Sequence, residues 1–116
     1  MATLVDVASG SYPKIFNGQQ ITPLEGKSLL PYFLNKERGA HPYIYWEHLG
    51  NRAIRKGDWK LVALSQGEWE LYNLNEDPTE LKDLVAEKPE LVKELTAAYR
   101  TWAEKSGVRE WPLEKR

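Results

Sequence analysis

The 116-residue sequence contains no cysteine, which excludes disulfide bonds, thiolate metal sites and a cysteine nucleophile within the chain. It has only two histidines, His41 and His48, and their spacing is not that of a metal site. It also lacks a phosphate-binding P-loop, a glycine-rich dinucleotide motif and the G-x-S-x-G motif of serine hydrolases. We therefore predict no complete, independent active site.

The chain lacks an excess of charge of either sign, because 16 basic residues stand against 17 acidic ones, for a formal net charge of −1. This balance gives no long-range attraction for nucleic acid or an anionic membrane, and neither is expected as a partner. No apolar run approaches the roughly 20 residues of a membrane-spanning helix, and no signal peptide is visible. The localisation stays unknown.

The residues that are present are typical of a globular domain. Hydrophobic residues make up 41% of the chain and charged residues 28%, and five tryptophans and six tyrosines supply large side chains for a core. Residues 1–42 predict an irregular connector with short helices at 2–8 and 29–34. Because the first predicted helix begins directly after Met1, we expect the chain to begin inside a helix of a longer protein.

The next part of the chain alternates apolar and polar residues between short turn signals. Strands are predicted at 43–48, 52–56, 59–64 and 69–74. Consecutive strands joined by short turns form an antiparallel meander. The last two strands are apolar on both faces, which predicts that both faces of the sheet are covered.

Helices are predicted after the strands. The segment Asp77-Pro78-Thr79-Glu80 resembles a helix N-terminus and predicts a short helix with an apolar side at Leu81, Leu84 and Val85. A longer helix, over 89–106, has apolar residues at spacings of three and four. The predicted fold class is α+β, with a four-stranded antiparallel sheet packed against a long C-terminal helix and an irregular N-terminal connector. One helix cannot cover both sheet faces.

Four residues around the first turn of the sheet are the candidate substrate-binding residues: Glu47, His48, Asn51 and Arg52. In a functional interpretation, His48, Asn51 and Arg52 line the rim of a polar pocket, where the Arg52 guanidinium offers its donors to an oxyanion. In a structural interpretation, Asn51 takes the left-handed turn conformation and Arg52 pairs with Glu47 across the hairpin. The spacing alone leaves both interpretations open.

The tryptophans allow two interpretations as well. Trp46, Trp59 and Trp69 fall at strand positions that a core would fill, so core packing is favoured over stacking of a sugar or a base on exposed indoles. A sugar-binding domain stays a weaker hypothesis.

Four segments of the sequence resemble, in wording and order, the C-terminal part of arylsulfatase-type sulfatases. They are MATLVDVASGSYP, NGQQITPLEGKSLLP, YWEHLGNRAIRKGDWKLV and WELYNLNEDPTELKDLVAEKPELVKELTAAYRTWAEKSGV. The resemblance extends from Ala2 to about Pro112. It implies that residues 43–116 form the sulfatase C-terminal sheet-plus-helix subdomain, and that residues 1–42 are a connector from the end of the catalytic domain.

The same resemblance implies an enzyme related to alkaline phosphatase, whose catalytic domain carries a calcium ion and a formylglycine made from Cys or Ser. The nucleophile motif of that family is Cys or Ser, any residue, Pro, any residue, Arg. The nearest string here, from Ser11 to Ile15, lacks the arginine, and the calcium-binding residues have no counterpart. We expect both cofactors in the catalytic domain, no catalytic or metal-binding residue in this chain, and no turnover by the chain alone.

Two hypotheses of different classes follow. The first is the C-terminal part of an arylsulfatase-like sulfuric ester hydrolase, which packs on the catalytic domain and shapes substrate access. The alternative is a free-standing protein-interaction module with a sulfatase-tail fold. Both predict an uncovered apolar surface, and hence self-association.

Overall fold

The computed structural model describes residues 1–112 and divides the chain into two compact units, Met1–Ala40 and the part from His41 onward. We name them unit 1 and unit 2. No helix within the described residues is long and apolar enough to cross a membrane. The predicted boundary after residue 42 concerns the junction with a catalytic domain and stays a prediction.

Unit 1 consists of short elements whose side chains are largely exposed. These are helix α1 (Ala2–Val7), strands β1 (Ile15–Phe16) and β2 (Gln19–Gln20), and helix α2 (Leu30–Phe33). The two strands form a hairpin inside the predicted connector, where no strand was expected. Asn17 and Gly18 have φ angles of 49° and 76°, which close the two-residue turn that this residue pair favours. None of residues 1–40 is buried.

Unit 2 begins with the antiparallel sheet. Its strands are β3 (Ile44–His48), β4 (Asn51–Lys56), β5 (Trp59–Ala63) and β6 (Glu70–Asn73). They pair in sequence order, so the predicted meander is confirmed. The register aligns one row of side chains across the sheet, formed by Tyr45, Ile54, Leu61 and Leu71.

Helix α3 (Pro89–Ser106) packs against that row of side chains. Leu95 and Tyr99 of the helix are buried in the same cluster as Ile54 of the sheet. The ring of Tyr45 stacks on Trp102, with 4.9 Å between ring centroids and an interplanar angle of 2°. The predicted α+β fold class is thereby confirmed.

The sheet face opposite α3, which we name the open face, carries exposed apolar side chains. Ile44 is 44% exposed and Trp46 is 47% exposed. Trp59 and Trp69 pack against the core as predicted. The predicted core position of Trp46 is wrong, because helix α3 covers the other face of β3 and no second helix of unit 2 lies within the described residues.

The short helix predicted after Asp77 is also wrong, because residues 77–88 form turns and irregular structure. The carboxylate of Asp77 accepts a hydrogen bond from the amide of Leu81 at 2.7 Å, and Glu80 has a φ angle of 58°, which a helix does not allow. The segment is also connected to the sheet, since Asp83 Oδ1 accepts a hydrogen bond from the amide of Leu71 at 2.9 Å. These contacts favour a loop over a helical turn.

Candidate functional site

The turn between β3 and β4 is a two-residue hairpin loop. Leu49 and Gly50 have φ angles of 53° and 84°, as a type I′ turn requires. The amide of Gly50 donates a hydrogen bond to Glu47 Oε1 at 2.9 Å. Asn51 lies in β4, so the interpretation that it takes the left-handed turn conformation is wrong.

Asn51 connects this turn to the one that follows β5. Its Nδ2 donates to the carbonyl of His48 at 3.0 Å, and its Oδ1 accepts from the amide of Ser65 at 3.1 Å. Both ends of the side-chain amide are therefore engaged with backbone groups. Asn51 holds the two turns together, while His48 lies exposed at the end of β3.

The structure separates the four candidate residues into two pairs. In the β3–β4 register, Glu47 stands opposite Arg52, and His48 stands opposite Asn51. Because side chains alternate along a strand, the first pair lies on the α3 side of the sheet and the second pair on the open face. Glu47 and Arg52 line a cavity, and the structure places His48 and Asn51 on the other side of the sheet.

This cavity has a volume of about 440 Å³ and lies where the turns at this end of the sheet meet α3 and the segment after it. Its charged and hydroxyl-bearing lining residues are Glu47, Arg52, Ser65, Tyr99, Arg109 and Glu110, and the rest of its wall consists of Gly50, Gln66, Ala103, Val108 and Trp111. Two acidic and two basic side chains thus border one space. Such a lining suits a polar ligand that carries both donors and acceptors.

Arg52 is held in place by two contacts. Its Nη2 donates a hydrogen bond to the carbonyl of Gly67 at 2.9 Å, and its guanidinium carbon lies 4.8 Å from the centre of the Trp69 ring. Among the described residues, Arg52 forms no ion pair with Glu47, so the predicted cross-hairpin pairing is wrong. The remaining N–H donors of the Arg52 guanidinium can bind a ligand in the cavity.

Tyr99 brings a buried hydroxyl to the cavity wall. The side chain is 6% exposed, and its hydroxyl has no hydrogen-bond partner among the described residues. Burial raises the pKa of Tyr99, and the nearby Glu47 charge raises it further, while the Arg52 charge lowers it. A buried hydroxyl without a partner costs about 1–3 kcal/mol. A buried tyrosine hydroxyl usually needs a partner, but no spacing pattern in the sequence associates Tyr99 with the β3–β4 turn.

Within residues 1–112, no three His, Cys, Asp or Glu side chains come together in a group that could hold a metal ion. The residues present do not fit the calcium site that the sulfatase resemblance implies for a catalytic domain.

Comparison with known protein families identifies the chain. Residues 1–105 match the family described as N-sulphoglucosamine sulphohydrolase, C-terminal. The chain belongs to this family. The predicted relationship to the C-terminal part of sulfatases is therefore confirmed, since the family match spans most of the sequence.

Solved structures share the fold of this family member. Ps i-CgsB, solved in complex with k-i-k-neocarrahexaose, has 21% identity and a TM-score of 0.65, with 88% of this chain and 22% of that chain covered. BT4656, solved with its substrate D-glucosamine-2-N,6-O-disulfate, has 22% identity and a TM-score of 0.65, with coverage of 97% and 25%. A Bacteroides thetaiotaomicron protein of glycosaminoglycan metabolism has 23% identity and a TM-score of 0.63, with coverage of 86% and 23%. The chain therefore spans between 22% and 25% of the length of these proteins.

Proposed function

We propose that this chain is the C-terminal part of an arylsulfatase-like sulfuric ester hydrolase, in which it packs on the catalytic domain and shapes substrate access without catalysing the reaction alone. The observation that carries the proposal is the family match over residues 1–105. The proposal is supported by the comparison with Ps i-CgsB, because this chain covers only 22% of that longer chain. Most of such an enzyme lies outside the segment described here.

Packing on another domain is supported by the exposed apolar residues of unit 1. Phe16 is 62% exposed, and Tyr32 and Phe33 are also exposed, while no residue of unit 1 is buried. These exposed aromatic side chains are accessible to another protein surface. We assign that surface to the catalytic domain.

The absence of catalysis by the chain alone is supported by its residues. A sulfate ester is cleaved through charge that develops on oxygen, which a nucleophile and a metal ion must stabilise together. The segment from Ser11 to Ile15 lacks the arginine of the nucleophile motif. We place the formylglycine and the calcium ion in the catalytic domain.

A role in substrate access is supported by the cavity beside the β3–β4 turn. Glu47 offers a carboxylate to hydroxyl donors, Arg52 offers guanidinium donors to anionic groups, and Arg109 adds a second positive charge. Asn51 serves this site as a positioning residue, because it connects the two turns. A substrate-binding role for His48, which lies exposed at the end of β3, stays a prediction.

The first experiment is to read the DNA upstream of the Met1 codon and to assay both the product of the complete frame and the isolated chain. A frame that encodes C-x-P-x-R or S-x-P-x-R supports the sulfatase proposal, whereas a stop codon and a ribosome-binding site there support the interaction module. We expect the complete product to cleave an aryl sulfate in the presence of calcium. Comparable turnover by the isolated 116-residue chain would disprove the assignment.

The second experiment tests the cavity with Glu47→Gln in the complete protein. Glutamine keeps an oxygen for the Gly50 amide but removes the negative charge, so the turn should persist. We expect KM for a sulfated substrate to rise roughly tenfold with little change in kcat, because a binding contact is lost. Glu90→Gln, an exposed residue in the first turn of α3, is the matched control. Unchanged KM in Glu47→Gln would remove Glu47 from the substrate side.

A further inference from the structure

The two edges of the four-stranded sheet differ in how their backbone groups are satisfied. In an antiparallel sheet, alternate residues of an edge strand direct their amide and carbonyl groups away from the neighbouring strand. On the edge formed by β6, Leu71 is such a residue. Its amide donates to Asp83 Oδ1 at 2.9 Å, and its carbonyl accepts from the amide of Leu84 at 2.8 Å. The segment 77–88 thereby closes this edge.

The edge formed by β3 is open. His48 and Asn51 flank a two-residue turn and stand opposite each other in the register, so they form a hydrogen-bonded pair, and every second pair along the hairpin does the same. The amides and carbonyls of Tyr45 and Glu47 consequently point away from β4. Among the described residues, no backbone group on that side pairs with them.

Strand β3 also lacks the features that usually prevent an open edge from pairing. Natural edge strands are kept from pairing by lysine, proline, a bulge or a very short length. The strand from Ile44 to His48 contains neither lysine nor proline, its register with β4 is continuous, and four of its five residues are exposed. A regular, exposed edge of this kind is a surface to which a further strand can be added.

We propose that the β3 edge is an interface with a second copy of this chain, in which the two β3 strands pair antiparallel across a two-fold axis. A two-fold interface uses the same surface on both copies, so β3 must be complementary to itself. Because the outward backbone groups must face each other, Tyr45 pairs with Glu47 of the second copy. Trp46 then stands directly opposite Trp46 of the second copy. This inference does not depend on the proposed function.

The side chains of β3 favour this register over the adjacent ones. The two Trp46 indoles meet at a non-hydrogen-bonded position, where cross-strand side chains approach most closely and aromatic pairs are stabilising. A shift by two residues in one direction would place the two Glu47 carboxylates directly opposite each other, which destabilises a pair. A shift in the other direction would place His48 opposite Pro42, outside the strand. A second copy supplies this complementarity by symmetry, whereas an unrelated strand does not.

Amide hydrogen exchange tests the edge without any substitution, in the complete protein encoded by the reading frame that contains Met1. The amide of Trp46 faces β4 and should be protected in monomer and dimer alike. In the fraction that sediments as a dimer, exchange at Tyr45 and Glu47 should be slower than in the monomer by about tenfold or more. A protein that is monomeric at every concentration would overturn the proposal. So would a dimer in which these two amides exchange freely, or a monomer in which they are protected.

A pair of lysine variants gives a second readout. Trp46→Lys and Leu81→Lys both replace an exposed apolar side chain, since Trp46 is 47% and Leu81 is 86% exposed. Trp46→Lys brings two ammonium groups opposite each other at the interface, so we expect the dissociation constant of the dimer to rise by roughly tenfold or more. Leu81→Lys should leave it unchanged. Equally tight dimers in both variants would overturn the proposal.

Disulfide formation tests the register. The chain contains no cysteine, and in the proposed dimer Ile44 stands opposite His48 of the second copy. A mixture of Ile44→Cys and His48→Cys chains, oxidised with glutathione disulfide, which takes up the two electrons and two protons of the thiols, should form a linked dimer. Ile44→Cys alone should not, because its two thiols lie four residues apart along the paired strands. Equal linkage in both samples would overturn the register.

The two proposals fail in different ways. An active complete sulfatase whose β3 amides show no dimer-dependent protection removes only the interface. A complete protein that dimerises through β3 but has neither a hydrolase domain nor sulfatase activity removes only the proposed function.

Discussion

Unit 1 and unit 2 both contain aliphatic and aromatic side chains, and they differ in how deeply those side chains are buried. In unit 2, Ile54, Leu61, Leu71 and Leu95 are completely buried between sheet and helix, whereas unit 1 buries no residue at all. Unit 1 nevertheless has helices and a hairpin with regular hydrogen bonds. Local structure and a core are therefore separable, and within this chain the hydrophobic stabilisation is concentrated in unit 2.

The largest expected effect is a difference in hydrogen exchange between the units of the isolated chain. Amides of β4 and β5 should exchange only through global unfolding, while those of unit 1 open locally because few buried contacts protect them. We expect the two groups to differ by on the order of 5 kcal/mol in opening free energy. The measurement is native-state exchange followed by NMR or mass spectrometry. Equal protection of the amides in both units would contradict the conclusion that hydrophobic stabilisation is concentrated in unit 2.

The next effect concerns the core of unit 2. Leu95→Ala leaves a cavity between α3 and the sheet and should lower the free energy of unfolding by roughly 3–4 kcal/mol. Leu81→Ala, in an exposed loop position, should change it by less than about 0.5 kcal/mol. Urea unfolding followed by tryptophan fluorescence is suitable, because all five tryptophans lie in unit 2. Similar losses in both variants would argue against a core at Leu95.

The turns of unit 2 provide a smaller effect. A Cβ atom at Gly50 would lie 2.6 Å from Ser65 Oγ and 2.9 Å from Trp111 Cβ, whereas one at Gly57 would have no atom within 4 Å. Both glycines have positive φ angles. Gly57→Ala should therefore cost about 1 kcal/mol from backbone strain, and Gly50→Ala about 2 kcal/mol. Urea unfolding compares the two variants, and equal costs would show that Ser65 and Trp111 do not crowd a Cβ atom at Gly50.

The smallest effect is a dependence of stability on alkaline pH. The hydrogen bond that Tyr72 donates to Glu70, with burial adding to it, raises the pKa of Tyr72 to about 12. An unfolded tyrosine ionises near pH 10, so between about pH 10 and about 12 the folded state binds more protons than the unfolded state. The free energy of unfolding should consequently fall as pH rises through this window.

Tyr72→Phe should make that fall shallower in urea titrations at successive pH values. Some slope should remain, because burial also raises the pKa of Tyr45 and Tyr99. Tyr32→Phe, at an exposed position of unit 1, is the control and should leave the slope unchanged. If Tyr72→Phe leaves the dependence of stability on pH unchanged, the hydrogen bond from Tyr72 to Glu70 does not stabilise the protonated hydroxyl.

The parts of the fold that could be predicted depend on local patterns. Alternation over 43–48 and the turn at Gly57-Asp58 identify the meander, and the spacing of apolar residues identifies α3. The helix predicted after Asp77 does not form. An aspartate followed by proline begins a helix or a turn equally well, and the contact between Asp83 and β6, which is distant in sequence, favours the turn.

The candidate site could be predicted only in part, for a similar reason. Glu47 and Arg52 are close in sequence and adjacent in the sheet, so a turn pattern suffices to associate them. Tyr99 and Arg109 reach the same cavity from α3 and the segment after it, and no spacing rule connects them to the hairpin. Asn51 lies in β4 and connects the two turns through backbone groups, so the left-handed conformation predicted for it is wrong, and a role in substrate binding stays a prediction.

The sequence by itself determined the four strands of the sheet, the turns between them, the long helix and the family, because periodicity, turn residues and residue order are all properties of neighbouring positions. Tertiary structure alone decided that Glu47 and Arg52 face the cavity while His48 and Asn51 do not, since this follows from the register of β3 and β4 and from the side on which α3 packs. It also decided that the Tyr99 hydroxyl has no hydrogen-bond partner among the described residues and that Trp46 is exposed. Burial depends on which surfaces meet, and that is a property of packed elements.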